Sequence, residues 1–112
     1  MKIRILLRPA ADRDIADQAD YLTQHQDLRT GLRFYRAAEE TFQLLARQPE
    51  MGKQTDYQNS FLTGMRMFPV KRFPNHLVFY LKVDSGIEII RVLHSARDIA
   101  SLFKHGEEDS EL

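Results

Sequence analysis

The chain has 112 residues and no cysteine, enough for one domain around a single core and incompatible with disulfides, thiolate metal sites or a cysteine nucleophile. No apolar stretch approaches the roughly 20 residues needed to span a bilayer. Sixteen basic and sixteen acidic side chains cancel overall, but residues 65–106 carry seven basic groups against three acidic ones while residues 107–112 carry four acids and no base, which predicts a folded unit over 1–106 with a basic C-terminal half and a disordered acidic tail over 107–112.

Lys2 to Arg8 reads as a strand, with Ile3, Ile5 and Leu7 on one face. Pro9 ends it and suits the first turn of a helix, where a missing amide proton costs nothing. From Ala10 to His25 the period becomes helical through Ala11, Ile15, Ala19 and Leu22, and Asp12 and Asp14 suit the positive end of the helix dipole. His25 to Leu28 is a short connection, and a second helix runs from Arg29 or Thr30 to Arg47 on a stripe of Phe34 or Tyr35, Ala38, Phe42 and Leu45. Two helices so linked form an antiparallel hairpin. Residues 49–64 are irregular and rich in turn residues, a long loop for so small a domain.

The remainder alternates with a period of two. Met65 to Arg72 is a strand that Pro69 assigns to an edge or a bulge. Phe73-Pro74-Asn75 is expected to turn the chain. His76–Val83 and Ile87–Leu93, joined by Asp84-Ser85-Gly86, are apolar on both faces and belong at the sheet centre. Asp98 caps a last short helix through His105, with Ile99, Leu102 and Phe103 inward and Gly106 as its end. The expected fold is α+β in the order β-α-α-β-β-β-α: an antiparallel sheet packed against a two-helix hairpin, with a short C-terminal helix and the helices on one face.

The order of elements, the segment Arg8 to Ile15, the turn Pro49 to Gly52, His76-Leu-Val-Phe-Tyr80 and above all Ile90-Arg-Val-Leu-His-Ser-Ala-Arg-Asp98 resemble the ParE branch of the ParE/RelE toxin superfamily over residues 3–104. The resemblance implies a bacterial, cytoplasmic toxin of a type II toxin–antitoxin system that inhibits DNA gyrase by binding it. It implies a ParD-like, ribbon-helix-helix antitoxin partner, a heterotetramer or larger assembly, contact with DNA only through the antitoxin, and no cofactor.

The alternative is a RelE-type ribosome-dependent mRNA endonuclease. That chemistry needs cations around a phosphate and an acid–base pair, which here would be Arg91 and Arg97 with His94. RelE-type members usually carry an aromatic or histidine acid–base group near the C-terminus; this chain has Phe103 there, which cannot exchange a proton, with His105 two residues on. The gyrase reading assigns target contact to Arg66, Arg91, His94 and Arg97. In structural terms His94 would instead bond a backbone carbonyl and fix the turn into the last helix, Arg97 would pair with an acid on the first helix, and Asp98 would be a cap. Arg29, Arg33 and Arg36 form an i, i+4, i+7 row that either bridges to aspartates of the first helix or, with Tyr21 and Tyr35, receives the antitoxin. The four histidines lack ligand spacing, so no metal site is expected.

Overall fold

The computed structural model describes residues 2–57 and 59–104. Strand β1 (Arg4–Leu7) leads into helix α1 (Pro9–His25), which is followed by helix α2 (Leu28–Arg47). After a 3-10 turn come a two-residue strand β2 (Lys53–Gln54), a second 3-10 turn, β3 (Arg66–Val70), β4 (Phe73–Val83), β5 (Gly86–His94) and helix α3 (Ile99–Lys104). The hairpin linker is only Gln26 and Asp27: Asp27 is the N-cap of α2, its carboxylate accepting the Thr30 N–H at 2.8 Å. That cap starts α2 a residue earlier than its apolar stripe suggests. The acidic tail, His105 and Gly106 lie outside the described residues.

The sheet order is β1-β5-β4-β3-β2. β4 and β5 are central, as their two apolar faces require. The sheet is mixed, not wholly antiparallel, because β1 pairs parallel with β5. Close approach of the two depends on Gly86, where an added Cβ would lie 1.8 Å from the Arg4 carbonyl oxygen. Both hairpins turn in two residues, with Arg72 and Ser85 in the left-handed region at φ 66° and 65°. The first turn is therefore Lys71-Arg72, and Phe73-Pro74-Asn75 already belongs to β4. Pro69 sits at a bulge in the β3–β4 ladder, on the part of β3 beyond Arg66 and Met67 where β2 no longer pairs with it.

Each face of the sheet has its own core. On one, α1 and α2 pack Ile15, Leu22, Phe34, Phe42 and Leu45 against Val78, Tyr80, Ile87, Ile89 and Val92. On the other, Phe103 of α3 packs with Leu62, Met65, Phe79, Ile90 and Leu93. The helices thus lie on both faces, because residues 87–93 are apolar on both and each needs a cover.

The segment 49–64 is tied down at several points. Tyr80 reaches from β4 to donate its hydroxyl to the Pro49 carbonyl at 2.8 Å and accept the Gly52 N–H at 2.8 Å. Asn59 donates to the Phe103 carbonyl at 2.7 Å. Tyr80→Phe leaves both backbone groups at positions 49 and 52 without this partner, and we expect it to cost about 1–3 kcal/mol in urea denaturation. A loss below a few tenths would mean that water replaces the phenol.

Candidate target-binding site where α1 meets β5

β1 ends at Leu7, so β5 beyond Ile89 has no strand on that side. Helix α1 takes over the edge. Asp14 and Gln18, one turn apart, face it together: Asp14 Oδ2 accepts the Val92 N–H at 3.0 Å, and Gln18 Nε2 donates to the Val92 carbonyl at 2.6 Å. Asp14 also holds Arg91 in a two-point clasp, with Nε to Oδ2 at 2.7 Å and Nη2 to Oδ1 at 2.9 Å. Both side chains are largely out of water, 9 % exposed for Asp14 and 15 % for Arg91. The aspartate read as a dipole partner is the centre of this junction.

Gln18 extends the chain of bonds to His76, whose Nδ1 lies 2.5 Å from Gln18 Oε1. Because the amide nitrogen is given to Val92, the oxygen is the acceptor and His76 Nδ1 carries the proton. His76 stands opposite His94 across β4 and β5, the rings meeting edge to face with centroids 5.0 Å apart. Phe34 and Phe73 close the other sides. Burial, helped by the nearby His94, pushes the His76 pKa down to about 4. His94 Nδ1 accepts the Ala96 N–H at 3.0 Å. The residue therefore fixes the turn into α3 as expected, through an amide and not a carbonyl. Asp98 caps α3, accepting from the Ser101 hydroxyl at 2.7 Å and its N–H at 3.3 Å, and the Ser101 hydroxyl bond is the first cause of its lowered pKa.

These groups border an open cleft of about 420 Å³ lined by Asp14, Asp17, Gln18, Tyr21, His76, His94, Ala96 and Arg97. Its exposed cation is Arg97, which makes no ion pair among the described residues. The expected pair between Arg97 and an acid of α1 is not formed among the described residues, and Asp14 pairs with Arg91 instead. A second cleft, with Tyr21, His76 and His94 in common, continues toward Arg33 and Arg72. No group of three or more His, Cys, Asp or Glu converges on a metal position among the described residues.

The four residues assigned to the target thus separate. His94 and Arg97 share the cleft. Arg91 does not line it and is bound to Asp14, which does. Arg66 lies on β3 and donates to the carbonyls of Glu50 and Gly52 at 3.1 and 2.6 Å, bracing the segment before β2. On α2, Arg29, Arg33 and Arg36 are exposed and form no bridge to the α1 aspartates among the described residues; Arg29 and Arg33 sit near Asp27, and Arg36 near Glu40, which is itself paired with Arg72 at 2.8 Å. Tyr35 lines a groove between the helices and β1, whereas Tyr21 belongs to the histidine cleft and stacks on His25.

Sequence reasoning missed Asp14, Gln18 and His76 as site residues. One signal was available for the last: counting back from the Asp84-Ser85 turn places His76 opposite position 93, or opposite His94 once one bulge residue is allowed.

A family model described as the ParE toxin of the type II toxin–antitoxin system parDE matches residues 5–99. Among solved structures the chain is similar to one from the chromosomal ParDE TA system from P. aeruginosa, with a TM-score of 0.68 and 14 % sequence identity over 82 % of this chain and 95 % of that one. At that identity the likeness establishes the fold. No curated protein gives a significant sequence match. No helix among the described residues is long and apolar enough to cross a membrane.

Proposed function

The chain belongs to the ParE toxin family of type II toxin–antitoxin systems, and from that premise we propose that it inhibits DNA gyrase by binding it and is neutralised by a ParD-like antitoxin. The observation that carries the binding reading over RNA cleavage is the fate of Arg91. An endonuclease of the RelE type would turn this side chain toward a scissile phosphate; here two guanidinium nitrogens are given to a largely buried clasp with Asp14. Redirecting it would leave the buried Asp14 carboxylate without its counter-ion, a cost that a phosphate contact must first overcome. Phe103, at the position where an acid–base side chain would be wanted, fills the core on the far face.

The residues proposed to meet the target are His94 and Arg97, on the rim of the cleft, while Arg66 and Arg91 act by holding the surface in shape. The antitoxin is proposed to contact the helical hairpin through Arg29, Arg33, Arg36 and Tyr35, with Tyr21 marking where the two partners approach one another. The protein is expected in the cytoplasm with both.

Purified protein added to gyrase and relaxed plasmid should block supercoiling, and Arg97→Ala should weaken the block at least tenfold, about 1.4 kcal/mol of binding. A companion translation extract should keep its mRNA intact. Full supercoiling at saturating protein would overturn the gyrase reading, and mRNA cleavage that His94→Ala reduces tenfold would establish the endonuclease alternative in its place.

A further inference from the structure

The cleft beside α1 holds a buried acceptor that the fold does not use. His76 is only 8 % exposed, and its Nδ1–H is given to Gln18 Oε1. Nε2 is then a lone-pair acceptor, and it has no hydrogen-bond partner among the described residues. An acceptor kept from water in this way costs free energy until a donor reaches it. The neighbouring ring is its complement. His94 Nδ1 accepts the Ala96 N–H, so Nε2 carries the proton, a donor with no partner among the described residues. Both rings line the cleft, with centroids 5.0 Å apart.

A second pair in the cleft wall repeats the pattern. Arg97 and Asp17 are exposed, and neither has an ion-pair or hydrogen-bond partner among the described residues. Asp14 adds no free charge, because Arg91 holds both of its oxygens. One carboxylate and one guanidinium remain, so the cleft is neutral and offers donors and acceptors alike. We infer that it receives the carboxamide of a glutamine or asparagine on a protein target. The amide NH2 donates to His76 Nε2 and the amide oxygen accepts from His94 Nε2–H, while Asp17 and Arg97 take the adjoining peptide groups. Bonds of about 2.9 Å let one small planar group reach both imidazoles. The inference deepens the target half of the proposed function and rests on it only for which protein carries the side chain.

Hydrogen-bond polarity decides among occupants. A carboxylate would satisfy Arg97 and His94, but it has no proton for His76 Nε2 and meets the Asp17 charge. An ammonium or guanidinium would suit Asp17 and His76 and oppose Arg97. An apolar side chain would leave all four groups without partners. A nucleobase has amide-like edges, yet its strand would bring phosphates to Asp17 and Asp20, exposed and one turn apart on α1. A neutral amide satisfies both pairs at once.

The test uses the full chain, isotope-labelled at the histidine nitrogens, with N-acetylglutamine methylamide as the probe. N-acetylglutamate methylamide and cytidine serve as the anionic and nucleobase comparisons. Titration to about 50 mM should shift the His76 Nε2 resonance toward that of a hydrogen-bonded acceptor, with a dissociation constant of about 1–10 mM. The Nδ1 resonance should stay in place, and both comparisons should bind at least tenfold more weakly. His76→Phe keeps an aromatic ring and removes the acceptor, and Asp17→Ala removes an exposed carboxylate. Each should weaken the probe at least threefold, read at His94, and His76→Phe should weaken the supercoiling block at least tenfold. A melting curve within a few degrees of the unmodified protein verifies each variant.

Equal binding of the glutamine and glutamate probes, a His76 Nε2 resonance that does not move, or unchanged probe affinity in both variants would overturn the inference. Tighter binding of cytidine would overturn it too, and give the cleft to a nucleobase. Gyrase inhibition is read separately. An unmodified chain that binds the probe and leaves supercoiling intact would count against the gyrase reading alone. A chain that blocks supercoiling without binding the probe would count against this inference alone.

Discussion

Asp14→Ala is expected to cost about 3–5 kcal/mol of folding stability, the range for removing one partner of a buried ion pair. The substitution removes one partner from each of two groups. Arg91 loses both contacts of the clasp, at 2.7 and 2.9 Å, and the buried Val92 amide loses its acceptor at 3.0 Å. For a domain of this size the melting temperature should fall by more than about 10 °C. Asp14→Asn should cost less, since its amide oxygen still accepts from Val92 or Arg91. The double change Asp14→Leu/Arg91→Met should recover most of the loss, because neither charge is then left without its partner. Chemical denaturation of the three variants checks this, and a loss below about 1 kcal/mol for Asp14→Ala would show that solvent or a neighbouring group replaces the carboxylate.

The same junction marks the boundary of what the sequence reveals. From the sequence Asp14 reads as a first-turn acid with a local explanation in the helix dipole, yet the helix starts at Pro9 and only Asp12 falls in its first turn. Its actual partners, Arg91 and Val92, are 77 and 78 residues away. No spacing rule reaches that far. The direction of β1 is hidden for a related reason: the alternation of Ile3, Ile5 and Leu7 is the same whether the strand runs parallel or antiparallel to its neighbour. Its sense relative to β5 is set by the whole path between them, through α1, α2, β3 and β4, and that path makes the pairing parallel.

What could be read was local. The change from a period of two to 3.6 at Pro9, the doubly apolar strands, the Asp84-Ser85 turn and the Asp98 cap each depend on neighbours within a few residues, and each is present. Residues 49–64 looked irregular because their order comes from outside: Tyr80, Arg66 and Phe103 hold them in place. Of the candidate site, His94 and Arg97 were legible from the terminal motif. Gln18 and His76 were not, because their importance lies in a bond between a helix and a strand separated by 58 positions.

That bond leads to a second expected result, in acid. The His76 pKa lies at about 4 against an ordinary value of 6.5, chiefly through burial and then through His94. The fold therefore prefers the neutral ring, which Nδ1–H donation to Gln18 and the rings of Phe34 and Phe73 accommodate. With the folded pKa depressed, this residue's share of stability is fully present above 6.5 and is lost as pH falls through about 4, because the unfolded chain binds the proton first. The loss should amount to about 3 kcal/mol over that window, upper-bounded by the pKa difference. Asp27, Glu40, Glu50 and Asp98 also have lowered values, so their share disappears at more acid pH, below the ordinary carboxylate range. The interval between pH 6.5 and 5 is thus where His76 speaks most clearly. His76→Phe should flatten the stability–pH curve there, while His94→Ala should retain most of the slope, since burial is the larger cause. Denaturation midpoints at half-unit pH steps separate the variants, and an equal slope in His76→Phe and the unmodified protein would assign the acid sensitivity to some other group.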